Sequence, residues 1–268
     1  HSLPSIFPTL RYDQFAAYAI KITRDAELDL DDDISRSVLE RMERGLEKRK
    51  KGVPTRFVYD SDMPEDLLAF LVKKMRLKQH SNLIPSGRYH NFKDFMGFPV
   101  IGYKKLRFKN WKPVAHPDLP KGESIFGILQ KKDVLLHYPY HSFMPEIDLL
   151  REASIDPNVS SIRITLYRVA HQSNIVKSLL TAIQNGKSVT AVVELQARFD
   201  EESNLYWSRK LEEAGAKVIY GVAGLKVHSK LMLITRHENG KTSNYVRIGT
   251  GNFNGDTARI YTDYSLLT

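Results

Sequence analysis

The chain has 268 residues, of which 42% are hydrophobic and 26% are charged, values typical of a soluble globular protein with one large domain or two ordinary ones. It contains no cysteine, which excludes disulfide bonds, thiolate metal sites and cysteine nucleophiles, and no run approaches the ~18 apolar residues that a membrane span requires. Lysine and arginine outnumber aspartate and glutamate by 40 to 31, and the resulting charge of +9 favours an anionic partner: nucleic acid, anionic lipid, nucleotide or polyphosphate.

The first part of the sequence combines short strands with two helices. Strands are predicted at residues 18–23 and 56–59, and amphipathic helices are predicted at 37–50 and 64–78. Prolines and a glycine without periodicity then mark a linker at residues 108–123, and we place a domain boundary after residue 112. The expected fold of the part before this boundary is α+β.

Beyond the boundary, strands and helices alternate, which predicts an α/β domain over residues 113–268 with helices flanking a mostly parallel sheet. Arg168 and Arg198 each follow the end of a predicted strand, where the ligands of such sheets collect. The predicted strands cover residues 134–136, 162–166, 189–195 and 217–220, and the predicted helices cover residues 145–154, 174–185 and 202–214.

Two motifs near the C-terminus carry the candidate chemistry. A strand predicted to begin at Val227 would direct His228 and Lys230 to the same face, because side chains two residues apart in a strand share a face. In the following motif, Gly249-Thr250-Gly251-Asn252, the glycines allow the backbone to approach a ligand closely and bring in the Asn252 amide. An imidazole, an ammonium group and an amide around one point suit the handling of phosphate.

The pairing of H-x-K with G-[ST]-x-N resembles the signature of the phospholipase D superfamily, and longer segments resemble the histidine-dependent polyphosphate kinases over nearly the whole chain. Those enzymes reversibly transfer the terminal phosphate of ATP to polyphosphate through a phosphohistidine, and they need magnesium. The resemblance implies an α+β head domain at residues 1–112 and a phospholipase D-like α/β layered domain, the first C-terminal domain, at residues 113–268. The segments that carry the resemblance are 23–27, 88–95, 133–141, 167–170, 193–202, 224–230, 248–254 and 261–265.

The resemblance also implies roles for individual residues. His228 resembles the phosphorylated histidine, whose neutral ring nitrogen is a good nucleophile near pH 7. Arg168 and Arg198 resemble the arginines of the phosphate and magnesium site; since a guanidinium cannot ligate a cation, we expect them to clamp phosphate oxygens that the Mg2+ ion also holds. Tyr261 resembles a tyrosine that contacts ATP. The residues expected to support the transferring phosphoryl group are Lys230 and Asn252, with Asp263 and His137 as further partners.

The partners that the resemblance implies are ATP or ADP and inorganic polyphosphate, without nucleic acid. It further implies a bacterial, cytoplasmic protein, a location that the absence of cysteine suits. The full-length enzyme is expected to be a homo-oligomer, and to be peripherally associated with the membrane if it associates with it at all.

Two features depart from the family pattern. Thr235 stands five residues after the lysine, where the phospholipase D pattern often has an aspartate, and this argues against a phosphodiesterase. The sequence also has one H-x-K motif where the family uses two, lacks the family's N-terminal domain and ends at Thr268, so we expect a fragment that binds anions with little or no kinase turnover. The alternatives are half of a phospholipase D-like phosphodiesterase that pairs two H-x-K motifs by dimerising, and a non-enzymatic polyanion-binding module.

Overall fold

A computed structural model describes residues 6, 14–24, 38–50, 52, 54–77, 82–99, 101–102, 104–109, 111–195, 197, 200–221 and 225–268. The chain divides into two compact units, residues 1–108 and 109–268. The assignment of these units to a head domain and a first C-terminal domain stays a prediction. Arg198, one of the two predicted phosphate clamps, lies outside the described residues. No helix in the described part combines the length and the apolar character needed to cross a bilayer.

The first unit is built on a three-stranded sheet with two helices among its described residues. Its elements are β1 (Ile20–Arg24), α1 (Val38–Lys50), β2 (Pro54–Asp60), α2 (Glu65–Lys74) and β3 (Asn82–Ser86). β2 is the central strand, antiparallel to β1 and parallel to β3. Met42 and Leu46 of α1 and Phe57 of β2 are buried, whereas α2 has no buried residue and its apolar stripe is only partly covered.

The second unit contains a seven-stranded sheet. Its elements, in chain order, are α3 (Ile125–Leu129), β4 (Val134–Tyr138), α4 (Met144–Ile155), β5 (Val159–Leu166), α5 (Asn174–Gln184), β6 (Ser188–Val193), α6 (Glu201–Glu213), β7 (Lys217–Tyr220), β8 (Lys230–Glu238), β9 (Lys241–Gly249) and β10 (Asp263–Leu267). The strand order across the sheet is β4-β10-β9-β8-β5-β6-β7. The predicted α/β class is therefore confirmed.

The prediction of a mostly parallel sheet is wrong. Only the pairs β5–β6 and β6–β7 are parallel, and the other four pairs are antiparallel. One of the antiparallel pairs is a hairpin between β8 and β9, whose two-residue loop is Asn239-Gly240 with φ angles of 47° and 75°. An Asn-Gly loop with both φ angles positive is a strong hairpin signal, because its twist matches that of the flanking strands. β8, which precedes the hairpin loop, already runs antiparallel to its neighbour β5.

The helices of the second unit bury one apolar stripe each. In α5, Ile175, Val176 and Leu179 are buried, and the helix ends before Gly186, whose φ is 80°. In α6, the same kind of ending occurs before Gly215, whose φ is 101°. Glycine ends a helix in this way because it adopts the left-handed conformation without a steric penalty.

Candidate active site

Strand ends from most of the second sheet meet at one edge. Lys230 at the start of β8 pairs with Gly249 at the end of β9, and Asp263 at the start of β10 pairs with Tyr138 at the end of β4. β5 and β6 are parallel neighbours, and β5 is antiparallel to β8, so the ends of β5 and β6 lie at this same edge. The segments that carry the candidate residues are therefore brought together by the topology.

His228 lies at this edge but not within a strand. β8 begins two residues after it, whereas the sequence predicted a strand from Val227, so strand alternation does not set the direction of the imidazole. Hydrogen bonds hold the segment instead: the Val227 N–H donates to Glu194 Oε2 at 3.0 Å, and Thr165 Oγ1 donates to the Ser229 carbonyl at 2.7 Å. Val227 is buried, and His228 is exposed beside it.

The Lys230 ammonium group is brought to His228 from the buried side of the segment. The residue is only 5% exposed, and its Nζ donates a hydrogen bond to the His228 carbonyl. The same Nζ lies 5.2 Å from the centre of the Tyr167 ring, which itself lies 4.7 Å from the imidazole. Burial is the main cause of the lowered pKa of Lys230.

The pKa of His228 is lowered from its ordinary value. Partial burial is the largest cause, and the positive charges of Lys230, Lys226 and Arg168 add to it. Both effects disfavour the imidazolium form. A lowered pKa means that the neutral ring, which has a nucleophilic lone pair, predominates at pH 7 and persists to more acidic pH than in an ordinary histidine.

We expect replacement of Lys230 by methionine to raise the pKa of His228, because a neighbouring positive charge is removed. The acid limb of any reaction that needs the neutral imidazole then moves to higher pH. NMR titration of the His228 ring measures this directly. Lys241→Met, at an exposed position of the β8–β9 hairpin, is the matched control and should leave the titration unchanged. An unchanged pKa in the Lys230 variant would contradict the assigned geometry.

Arg168 is held at the edge by the first turns of α6. It pairs with Asp200 at 3.0 Å, and 36% of its side chain is exposed. Its neighbour Val169 donates its N–H to the buried Asn204 side chain at 3.1 Å. The Asn204 amide donates in turn to the carbonyls of Tyr167 at 2.7 Å and Glu194 at 2.8 Å. One buried amide thus ties together the ends of β5 and β6.

The glycines of the second motif make room for the protein's own side chains. A Cβ at Gly249 would lie 2.5 Å from Nη1 of Arg247, and a Cβ at Gly251 would lie 2.7 Å from the Asp263 carboxyl carbon. The sequence predicts that these glycines let a ligand approach the backbone. The described contacts give a different reason for glycine, since a side chain at either position would clash with Arg247 or Asp263. Asn252 follows directly, and its Oδ1 is buried without a hydrogen-bond partner among the described residues.

Arg247 is a site residue that the sequence reasoning missed. It is fully buried, and it donates to Glu146 Oε1 through Nε at 3.0 Å and Nη2 at 2.8 Å. It also donates to the carbonyls of Lys230 at 3.2 Å and Gly251 at 3.1 Å, so it joins the two motifs from beneath. The sequence did contain a signal for this buried arginine. Arg247 is a charged residue in an apolar run, and it lies two residues from the inward-facing Tyr245, on the same face of the strand.

The remaining predicted residues lie near the same edge. Asp263 accepts a hydrogen bond from Thr250 Oγ1 at 2.8 Å, and its charge acts on Lys230. Tyr261 precedes Asp263 by two residues and is 61% exposed, which leaves its ring open for stacking. His137 stacks on Tyr264 with centroids 4.4 Å apart, and its Nε2 is buried without a partner in the described part of the chain.

The described carboxylates at this edge do not form a magnesium site by themselves. No cluster of three or more histidine, cysteine, aspartate or glutamate side chains suited to a metal occurs among the described residues. Three nearby carboxylates already have protein partners: Asp200 pairs with Arg168, Glu194 accepts from the backbone of Val227, and Asp263 accepts from Thr250. Since Mg2+ is commonly held by one or two carboxylates together with substrate phosphates, a magnesium ion here would need phosphate oxygens as ligands.

Two family profiles match the chain. The one described as "Polyphosphate kinase C-terminal domain 1" matches residues 124–268, and the one described as "Polyphosphate kinase middle domain" matches residues 1–98. Polyphosphate kinases of Vibrio vulnificus (strain YJ016) and Escherichia coli (strain K12) are 52% and 49% identical to the chain, each over 96% of its length. The chain spans only 37% and 38% of these relatives' own lengths.

A solved structure agrees with this result. The polyphosphate kinase from Porphyromonas gingivalis aligns with 99% of this chain and 37% of its own, with a TM-score of 0.66 and 35% sequence identity. The resemblance that the sequence motifs carry is thereby confirmed. The chain belongs to the polyphosphate kinase family.

Proposed function

We propose that this chain supplies the phosphohistidine part of the active site of an ATP:polyphosphate phosphotransferase. The observation that carries the proposal is the exposed His228 imidazole, kept neutral beside the Lys230 ammonium and the Arg168 guanidinium. A neutral nitrogen nucleophile flanked by cations suits attack on a phosphorus atom whose oxygens are negatively charged. Membership in the polyphosphate kinase family supports the same reaction.

The proposed reaction has two phosphoryl transfers. In the first, a ring nitrogen of His228 attacks the γ-phosphorus of ATP, the N–P bond forms, and the bond to the bridging oxygen breaks, so that ADP leaves with the electron pair. In the second, a terminal oxygen of polyphosphate attacks the same phosphorus, and the N–P bond breaks to restore the imidazole lone pair. Both steps are reversible because the N–P bond retains a high transfer potential.

The surrounding residues bind and orient in this scheme. Lys230 and Arg168 offset the charge of the transferring phosphoryl oxygens, and Arg198 is proposed as a second clamp. Asn252 is proposed as a further polar contact, whose side-chain amide N–H groups would donate to phosphoryl oxygens. Tyr261 is proposed to stack on the base of ATP. Magnesium is proposed as part of the nucleotide substrate, bound through its phosphate oxygens.

The proposed setting follows the bacterial relatives. It is the bacterial cytoplasm, with ATP or ADP and inorganic polyphosphate as partners and no nucleic acid. Homo-oligomerisation of the full-length protein and peripheral membrane association belong to the same proposal. Because the chain covers little more than a third of its relatives, activity is best tested in the full-length protein.

The decisive experiment is incubation of the full-length protein with γ-labelled ATP. The proposal expects an acid-labile, base-stable label on His228 that can be transferred to polyphosphate or back to ADP. Cleavage of a phosphodiester that depends on His228 would support the phospholipase D-like alternative instead. Anion binding that falls steeply with salt, together with an unlabelled protein, would indicate a polyanion-binding module.

A further inference from the structure

The ring of Tyr167 lies at the centre of the candidate active site. The His228 imidazole packs against it edge-to-face, with ring centroids 4.7 Å apart and an interplanar angle of 81°. Lys230 Nζ lies over the ring at 5.2 Å from its centroid, and Arg168 Cζ lies at 5.9 Å from the same point. The nucleophile and two cations of the proposed reaction, Lys230 and Arg168, therefore surround one aromatic side chain.

The backbone of Tyr167 is firmly held. Its carbonyl accepts a hydrogen bond from Asn204 Nδ2 at 2.7 Å, and Asn204 is fully buried. The residues that follow are tied to the same helix, because Ser203 Oγ donates to the Val169 carbonyl at 2.8 Å and Trp207 Nε1 donates to the Ala170 carbonyl at 2.9 Å. The ring thus projects from a segment whose position α6 fixes.

Among the described residues, by contrast, no hydrogen bond orients the imidazole itself. The backbone around His228 is held through Glu194 and Lys230, but neither ring nitrogen has a hydrogen-bond partner among the residues that the structure describes. A functional histidine is normally oriented by a hydrogen bond to one ring nitrogen. Here the described contact that can set the orientation of the ring is the one with Tyr167.

We propose that Tyr167 is the positioning residue of the nucleophile: its ring orients the His228 imidazole and keeps Lys230 and Arg168 beside it. The inference rests on the proposed function. In-line attack requires the ring nitrogen to be aligned with the phosphorus and the leaving oxygen, and misalignment slows transfer without preventing substrate binding. The face and edge of the Tyr167 ring make these contacts. Phenylalanine at this position should therefore preserve the orientation of the imidazole, whereas an aliphatic residue should not.

The test compares Tyr167→Leu with Tyr167→Phe in the full-length protein. The rate of His228 labelling by γ-labelled ATP is expected to fall about 10- to 100-fold in the leucine variant, from the combined loss of the aromatic pair and the two cation–ring contacts. The phenylalanine variant should stay within about threefold of the unchanged protein. The ATP concentration for half-maximal labelling should change by less than about threefold in both, since the loss is in alignment.

A second readout does not depend on activity. NMR titration of His228 should show a raised pKa in Tyr167→Leu, because the smaller side chain leaves the imidazole more hydrated and partial burial is the main cause of the lowered pKa. The charged groups that act on the imidazole are Lys230, Lys226 and Arg168, and phenylalanine keeps the ring contacts of Lys230 and Arg168. The phenylalanine variant should therefore titrate like the unchanged protein.

The outcomes separate the two proposals. If the unchanged protein carries no label on His228, the proposed function itself is wrong. If the unchanged protein is labelled and Tyr167→Leu is labelled at the same rate with the same His228 pKa, the positioning role is wrong. An equal loss of labelling rate in the leucine and phenylalanine variants would also overturn the positioning role, because the phenylalanine variant retains the aromatic ring. Phe70→Leu, which removes a ring that is 55% exposed on α2 together with its contact to Lys74, is the matched control and should change neither readout.

Discussion

Replacing His228 with glutamine is expected to lower the rate of ATP-dependent polyphosphate synthesis by the full-length protein by roughly 10⁴-fold or more, the scale seen when a covalent nucleophile is removed. Glutamine is polar and of similar size, but its amide nitrogen has no nucleophilic lone pair. The side chain is exposed, so the substitution should leave the fold intact. The measurement is the initial rate of polyphosphate formation, together with the acid-labile label on the protein.

The control is His237→Gln on β8, the strand that begins two residues after His228. His237 is also exposed, and it lies on β8 near the hairpin, at the opposite end of the strand from Lys230. Its ring contacts Thr242 at 3.4 Å. We expect this variant to keep the full rate and the label. Retention of the label by the His228 variant would show that the phosphoryl group is carried elsewhere.

Arg247→Met is expected to destabilise the protein by about 3–5 kcal/mol, the usual cost of leaving one member of a buried ion pair without its partner. Both Arg247 and Glu146 have fully buried side chains. Without the guanidinium, the Glu146 carboxylate keeps the hydrogen bond from the Tyr138 hydroxyl at 2.8 Å, and the carbonyls of Lys230 and Gly251 lose the hydrogen bonds that Arg247 donates to them. The loss is measured as the difference between the free energies of unfolding of the variant and the unchanged protein, each obtained from a urea denaturation curve.

Two comparisons make this prediction specific. Arg151→Met removes an arginine whose ion pair with Asp148, at 3.1 Å, is about half exposed, and it should cost no more than about 0.5 kcal/mol. The double variant Arg247→Met with Glu146→Leu should be less destabilised than Arg247→Met alone, because no unpaired charge remains buried. Equal stability of Arg247→Met and Arg151→Met would contradict the assigned role of the buried pair.

Local sequence patterns predicted much of the second unit correctly. Apolar stripes bounded by Gly186 and Gly215 gave the extents of two helices to within a few residues, because these signals act within single turns of the chain. Sheet direction was predicted wrongly, although Asn239-Gly240 was a readable hairpin signal. The start of β8 was also misplaced, because the apolar run near Val227 resembles a strand while the segment is held by hydrogen bonds to other strands.

The sequence by itself determined the α/β class, the family and the motif that contains His228 and Lys230, since these depend on neighbouring residues in the chain. Only the tertiary structure decided what surrounds the imidazole. Arg247 and Glu146 are 101 positions apart, and Asn204 reaches back 37 positions to Tyr167. Such contacts exist because strand order places distant segments at one edge of the sheet, and no local pattern of hydrophobicity encodes that order.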